Sequence, residues 1–183
     1  MIFAFSLIPF SFSITEMRFR RLARERAIQF LFQHEINPPE AIEEDLERFW
    51  QSQTSAAIAE DHKASTWGET SEPTATTSED DEVRKFGDPL IRGVLDKLSE
   101  LDGIIEEQTR NWDIARIAKV DRNILRLAIY EMLHREDIPP VVSINEAIDI
   151  AKKFSTENSG RFVNGILDKV KGNLMRPART SAN

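Results

Sequence analysis

The chain of 183 residues contains no cysteine. Disulfides, catalytic thiolates, iron–sulfur clusters and cysteine-rich zinc sites are therefore excluded. The absence suits a reducing compartment, and we expect a cytoplasmic protein. A chain of this length can bury enough apolar surface for one domain, or for two small lobes that share a core, without covalent staples.

The sequence also lacks the motifs of the common catalytic sites. It contains no P-loop, no glycine-rich dinucleotide loop, no H-E-x-x-H and no G-x-S-x-G. Its histidines are scattered: His34 is on the apolar side of the first predicted helix, His62 is in an acidic segment and His134 is at a helix end. The acidic run EEDLE fits a solvated helix face better than an acid pair. We therefore predict a protein that is not an enzyme and has no metal site or cofactor.

Strand-like alternation of apolar and polar residues is missing too, whereas apolar residues recur at helical spacing along most of the chain. The pattern predicts an all-α fold, a compact bundle of about seven helices in two lobes. The run VDRNILRLAIYEML at 120–133 is apolar on most sides. It is the best candidate for a central, largely buried helix.

Local signals predict where three helices begin. Asp88 is placed to cap a helix that has Pro89 at its first position. The tetrapeptide SINE at 143–146 has the form of a capping box, in which the serine and the glutamate satisfy backbone amides. Ser159 is predicted to cap the last helix, and Phe154 is predicted to lie on the buried face of the helix before it.

Composition divides the chain into five predicted segments. They are an apolar N-terminal extension at 1–16, an N-terminal helical lobe with a basic first helix at 17–54, an acidic insert expected to be disordered at 55–82, a C-terminal helical lobe at 83–174 and a tail at 175–183.

The extension at 1–16 has the hydropathy of a secretory signal, but it lacks a basic n-region and a small-x-small cleavage site. It is also short for a membrane span, which needs about 20 residues. We prefer the interpretation that Met17 is the initiator, with a targeting segment as the alternative. No membrane association is predicted.

Positive charge is scarce overall, since the formal net charge is −7 at pH 7. Residues 40–82 hold 13 acidic and 2 basic side chains, whereas residues 150–183 hold 7 basic and 2 acidic ones. The stretch RFRRLARER at 18–26 holds five arginines and one glutamate. One acidic block is thus flanked by two cationic ones. Because electrostatic potential acts within a Debye length of about 8–10 Å, the cationic blocks can bind a polyanion despite the net charge.

The arginine cluster at 18–26 is the most informative feature. Arg24 follows Arg20 by four residues and Arg21 by three, so the guanidinium groups are predicted to project as an exposed fork suited to phosphate. Phe32 lies on the same stripe as Arg21, where its ring could stack on an unpaired base. The competing interpretations are a solvated helix face for the arginines and core packing for Phe32.

A second basic region lies near the start of the last helix, where free backbone amides favour phosphate. It combines Lys152, Lys153, Arg161 and Phe162 with Asn164, which could either contact a base edge or make a structural hydrogen bond. These residue types suit single-stranded RNA better than duplex DNA. The predicted RNA-binding residues are Arg18, Arg20, Arg21, Arg24, Phe32, Lys152, Lys153, Arg161, Phe162 and Asn164.

Three motifs occur in a familiar order: RRLARERAIQFLF, VDRNILRLAIYEML and INEAIDIAKKFSTENSGRFVNGILDKV. Over about residues 18–37 and 86–172 the chain resembles the NusB family of transcription antitermination factors. The resemblance implies an all-helical fold of two lobes. It also implies binding of the boxA element of nascent RNA together with the ribosomal protein NusE, which helps RNA polymerase through terminators and supports ribosomal RNA synthesis.

The resemblance maps the family's arginine-rich first helix onto Arg20, Arg21 and Arg24, and its aromatic residue onto Phe32, where tyrosine is more usual. The family's KFVNG motif maps onto residues 161–165. The acidic insert, however, is longer than the family pattern leads us to expect, which leaves the helix order of the first lobe open.

Two other functions compete with this one. The arginine face could belong to a protein-interaction module that docks an acidic partner or the chain's own acidic block. A NusB-like domain also opens certain RNA cytosine methyltransferases, but that activity needs a following Rossmann-type domain, for which 183 residues leave no room.

Overall fold

The computed structural model of the protein describes residues 14–64, 78–109 and 113–174. These residues form seven α-helices and one 3-10 turn, at Ile114–Arg116, and contain no strand. The helices are α1 (Ile14–Ile36), α2 (Ile42–Ala64), α3 (Ser78–Asp96), α4 (Leu98–Gln108), α5 (Lys119–His134), α6 (Pro140–Phe154) and α7 (Glu157–Leu174). The predicted all-α bundle is confirmed.

Helix α5 is the centre of the bundle, since it packs against α1, α3, α4, α6 and α7. Ile124, Leu125 and Ile129 on this helix are at most 1% exposed. The prediction of a central buried helix at 120–133 is therefore confirmed. Burial on most sides follows from the near-continuous apolar surface of that segment.

Close packing of the first three helices depends on Gly87 in α3. A Cβ atom at this position would lie 2.8 Å from Cη2 of Trp50 on α2 and 3.3 Å from the backbone oxygen of Ala23 on α1. Only glycine therefore lets the three helices approach to this distance.

A polar cluster joins the C-terminal end of α1 to α4 and α5. Glu35 accepts hydrogen bonds from Arg122, Asn123 and Arg126, and the last of these also binds Asp102. The distance from Arg126 Nε to Asp102 Oδ1 is 2.6 Å. Two guanidinium groups and two carboxylates thus neutralise each other where α1 ends.

The predicted helix starts are wrong in all three cases. Asp88 and Pro89 lie inside α3, where Asp88 accepts hydrogen bonds from Trp50 and Arg92. Helix α6 begins at Pro140, so the SINE segment lies within its first turns, and α7 begins before Ser159. The amide of Ser159 donates to Oγ1 of Thr156 at 3.2 Å, the bond that an N-cap makes.

Helices α2 and α3 extend into the segment 55–82, which was predicted to be disordered. Helix α2 continues to Ala64 and α3 begins at Ser78, so the prediction is wrong for these parts. Ala56, Ala57 and Ala59 favour helix, and buried Val83 anchors the start of α3.

Several predicted segments lie wholly or partly outside the described residues. These are residues 1–13 of the N-terminal extension, 65–77 of the acidic insert and the tail at 175–183, together with 110–112. Helix α1 already begins at Ile14, so residues 14–16 are helical and precede the predicted start at Met17. Within the described part of the chain, no helix is long and apolar enough to cross a membrane.

Candidate nucleic-acid interface

Arg21 faces α6 rather than open solvent. Its Nε and Nη2 atoms donate to the carboxylate of Glu146 at 3.0 and 2.7 Å, and Nη2 also donates to Asp149 at 3.0 Å. The hydrogen bonds to Glu146, followed by the charges of both carboxylates, raise the pKa of Arg21 above its ordinary value. The side chain nevertheless keeps 46% of its surface exposed.

Arg24 is buried, which corrects the prediction that it forms part of an exposed fork. The residue is 4% exposed, and its Nε donates to Oε1 of Glu131 on α5 at 2.8 Å. Its Nη1 lies 3.9 Å from Glu146. Arg24 lies where α1 packs against α5, so the guanidinium has to find its partner inside the protein.

Arg20 points away from Arg21, because successive helical residues are about 100° apart around the axis. Its Nη2 donates to Glu16 at 3.0 Å. Its guanidinium lies 5.1 Å from the ring centroid of Phe86, a ring that Arg24 and Arg135 also approach to 5.2 Å. Three arginines thus surround one ring on α3, and they serve packing between helices.

The next polar pair along α1 is Glu25 with Lys153 of α6. Lys153 Nζ donates to both carboxylate oxygens of Glu25, at 2.9 and 2.7 Å. Together with the bonds of Arg21, this pair forms a line of ion pairs between α1 and α6. The fork of free arginines that the sequence predicted is therefore replaced by arginines that diverge and bind acidic side chains.

The cations at the junction of α6 and α7 have fewer acidic partners than the arginines of α1. Lys152 and Arg161 are exposed, and neither has an acidic partner among the side chains that the structure describes. The aliphatic part of the Lys152 side chain packs beside Gly160. A Cβ atom added at Gly160 would lie 3.2 Å from Cγ of Lys152. Lys153 remains 58% exposed in spite of its bond to Glu25.

Phe154 supplies an exposed ring at this junction, and the prediction that it lies on the buried face of α6 is wrong. The residue is 37% exposed, and Lys153 Nζ lies 5.2 Å from the centre of its ring. Phe154 is the last residue of α6, and it is not among the partly buried hydrophobic residues that pack against the core.

The remaining predicted RNA-binding residues are either half-buried or close to an acidic side chain. Phe32 is half-buried, and Ile28, which lies between it and the ion pairs, is 3% exposed. Phe162 is half-buried and packs against the core. Asn164 donates to Asp168 at 3.1 Å along α7. Arg18 is exposed and lies 3.6 Å from Glu79.

Lys152, Lys153, Phe154 and Arg161 are all exposed near the junction of α6 and α7, and we call them the α6–α7 surface. Arg21 lies on the line of ion pairs between α1 and α6, which reaches this surface at Lys153. Sequence reasoning missed the acidic partners on α6, although a signal existed. Glu146, Asp149 and Lys153 share one helix face at offsets of 0, 3 and 7, and their charges complement Arg21 and Glu25 on α1.

The described residues contain no metal centre, and His34 and His134 have structural neighbours. No group of three or more histidine and acidic side chains there is placed to hold a metal ion. His34 lies in the bundle with its ring stacked on Phe30 at a centroid distance of 6.2 Å. His134 lies 3.2 Å from Glu100 at the end of α5.

The chain is similar in sequence to proteins of one family. The sequence model of the NusB family matches residues 21–171. The transcription antitermination protein NusB of Anaeromyxobacter dehalogenans (strain 2CP-1) is 42% identical over 87% of this chain and 94% of its own length. The protein of the same name from Thermodesulfovibrio yellowstonii is 35% identical over 82% of this chain and 90% of its own length.

Solved structures agree with these relatives. A crystal form of T. maritima NusB has 38% sequence identity and a TM-score of 0.60, covering 84% of this chain and 90% of that one. A NusB in a crystal structure with NusE and double-stranded RNA has 24% identity and a TM-score of 0.60, covering 86% of this chain and 98% of that one. At this identity the match supports the shared fold and nothing further. By sequence and by fold, the chain belongs to the NusB family.

Proposed function

We propose that this protein is an RNA-binding transcription antitermination factor. It binds boxA-like single-stranded RNA together with the ribosomal protein NusE, joins the RNA polymerase antitermination complex and supports ribosomal RNA transcription. The observation that carries the proposal is the family match over residues 21–171, with relatives named transcription antitermination protein across most of their length. The protein acts in the cytoplasm as a binding factor without catalytic activity.

The α6–α7 surface supports the proposal chemically. Exposed ammonium and guanidinium groups contact phosphates, while an exposed ring stacks on a base regardless of its sequence. Lys152, Lys153 and Arg161 supply the cations, and Phe154 supplies the ring. Together they suit a strand whose bases are unpaired.

The other predicted contacts take different roles in this proposal. Arg18 and Arg21 keep enough exposed surface to reach a phosphate. Phe32, Phe162 and Asn164 are half-buried, and in this proposal they contact RNA through the parts of their side chains that stay exposed. Arg20 and Arg24 support α1 from within through Phe86 and Glu131, so their contribution to RNA binding is indirect.

A titration of fluorescently labelled RNA tests the proposal. The strands are a boxA-like single strand, a scrambled strand and a duplex, each with and without NusE, at two salt concentrations. The duplex is included because a family member of the same fold was crystallised with double-stranded RNA. We expect the boxA-like strand to bind most tightly in the presence of NusE, with log affinity falling by about 0.7 per log unit of salt for each phosphate contacted.

The double variant Lys152→Ala/Arg161→Ala localises the binding. It should weaken RNA binding about tenfold and reduce the salt slope, since two phosphate contacts are lost. Lys85→Ala removes an exposed cation of α3 and should change little. RNA binding that is absent from the wild-type protein would refute the proposal, and binding of NusE without RNA would favour a protein-interaction module.

A further inference from the structure

The charges around Arg21 do not favour a phosphate as the structure stands. Two arginines, Arg21 and Arg24, lie among three carboxylates, those of Glu131, Glu146 and Asp149. The group therefore carries a net charge of −1, although both of its arginines come from the most cationic stretch of the sequence, at 18–26. A polyanion that approaches Arg21 meets like charge at close range.

The bonds to Arg21 also occupy the donors that a phosphate would use. Nε and Nη2 form the fork that grips a carboxylate or a phosphate in the bidentate manner, and both donate to Glu146. Nη1 takes no part in the three bonds between Arg21 and α6. A phosphate can therefore bind Arg21 fully only by replacing a carboxylate of α6.

We propose that Glu146 and Asp149 compete with RNA phosphate for Arg21 and thereby limit the RNA affinity of the protein. The inference rests on the proposed function, since it concerns the affinity of the same interface. It assigns to two acidic residues of α6 a role opposite to that of the cations beside them.

The exposure of the two carboxylates indicates which of them a phosphate replaces first at Arg21. The side chain of Asp149 is 50% exposed, so water can solvate its carboxylate once Arg21 leaves. Glu146 is only 17% exposed, but it lies 3.9 Å from Arg24, which stays in place as a second cation. The exchange thus begins at Asp149, and the fork of Arg21 opens when Glu146 follows.

Neutral variants of the two carboxylates test the competition. In Glu146→Gln/Asp149→Asn the side chains keep their shape but lose their charge, and we expect the affinity for the boxA-like strand to rise by about three- to tenfold. The salt dependence should steepen as Arg21 gains a phosphate. The control is Glu43→Gln, which removes a carboxylate that binds Arg92 on the far helices α2 and α3 at 2.5 Å. This control should leave the affinity unchanged.

A second set of variants tests whether Arg21 is the group that the neutral substitutions free for a phosphate. In an Arg21→Ala protein the same two neutral substitutions should give no further gain, because no guanidinium is left to free. A gain no larger than that of Glu43→Gln, a gain that persists without Arg21, or a loss of affinity would each overturn the inference. Melting temperatures verify that every variant is folded. Failure of the wild-type protein to bind RNA would instead remove the proposed function, and the inference with it.

Discussion

At the scale of single residues, Arg24 shows how burial changes the role of an arginine. Its sequence position matches the RNA-binding pattern, and an exposed arginine could be replaced by alanine without much loss of stability. In the structure Arg24 has 5% of its side chain exposed and binds Glu131, of which 1% is exposed. Removing one member of such a pair leaves the other charge buried without its partner.

We therefore expect Arg24→Ala to lower the free energy of unfolding by about 3–5 kcal/mol. Arg21→Ala, which breaks a half-exposed pair, should cost less than about 1 kcal/mol. Urea denaturation of both variants measures the difference. The double variant Arg24→Ala/Glu131→Gln should lose less stability than the sum of the two single variants, and equal losses for Arg21→Ala and Arg24→Ala would contradict the prediction.

Phe154 is the residue whose exposure most changes the candidate site. If its ring stacks on a base, Phe154→Ala should lower RNA affinity by about 1–3 kcal/mol, the usual value for one stacked base. Stability should change little, because the side chain ends α6 beyond the core. Fluorescence titration and a thermal melt separate the two effects.

Phe162→Ala is the matched control for that variant. Phe162 packs against the core, so its loss should lower the melting temperature. If Phe154→Ala lowers the melting temperature as much as Phe162→Ala and leaves RNA binding unchanged, Phe154 is a packing residue only.

At the scale of helices, residues that are too small to appear in an apolar pattern decide how closely two helices can pack. We expect Gly87→Ala to lower the free energy of unfolding by about 1–3 kcal/mol, the usual cost of overpacking, because the new methyl group would press on Trp50. Gly165→Ala is the control, since nothing lies within 4 Å of its Cβ position. That variant should be neutral or stabilise α7 by up to about 1 kcal/mol. Urea denaturation distinguishes the two, and equal effects would refute the packing argument.

Helix starts also belong to this scale, and sequence placed them too late in all three cases. Capping signals act locally, whereas the first turn of α3 is held by Val83 in the core, 5% exposed. Long-range packing therefore extended this helix beyond its local signal. Helix α6 starts instead at Pro140, a residue suited to a first turn, which leaves Ser143 buried inside it.

At the scale of the whole molecule, ion pairs on the surface couple stability to pH. Arg92 lowers the pKa of Glu43, Arg84 lowers that of Glu47, and Arg135 lowers that of Asp137. A carboxyl whose folded pKa is depressed contributes stability above its unfolded pKa, near about 4, and loses the contribution as the pH falls through the folded value. The free energy of unfolding should therefore fall as the solution is acidified below about pH 5.

Urea denaturation at pH 7, 5 and 3 measures this dependence. The triple variant Glu43→Gln/Glu47→Gln/Asp137→Asn should start less stable at pH 7 and show a shallower decline. A wild-type stability that does not change between pH 5 and pH 3 would contradict the prediction.

Sequence by itself determined the fold class, the central helix and the family. Helical periodicity is repeated in every element, and the long motif that ends in GRFVNG is specific enough to identify relatives. Composition also picks out the cations at 152, 153 and 161, because clustered charge is visible along the chain, but it did not predict the exposed ring of Phe154.

Only the tertiary structure decided which of those charges are available. Partners that neutralise α1 come from α5 and α6, more than 100 residues away along the chain, as in the pairs of Arg24 with Glu131 and Arg21 with Glu146. Local charge patterns carry no information on partners at that separation. The packing of α1 against the rest of the bundle therefore turned one predicted binding residue into a buried support, and made two acidic residues of α6 candidates for control of RNA affinity.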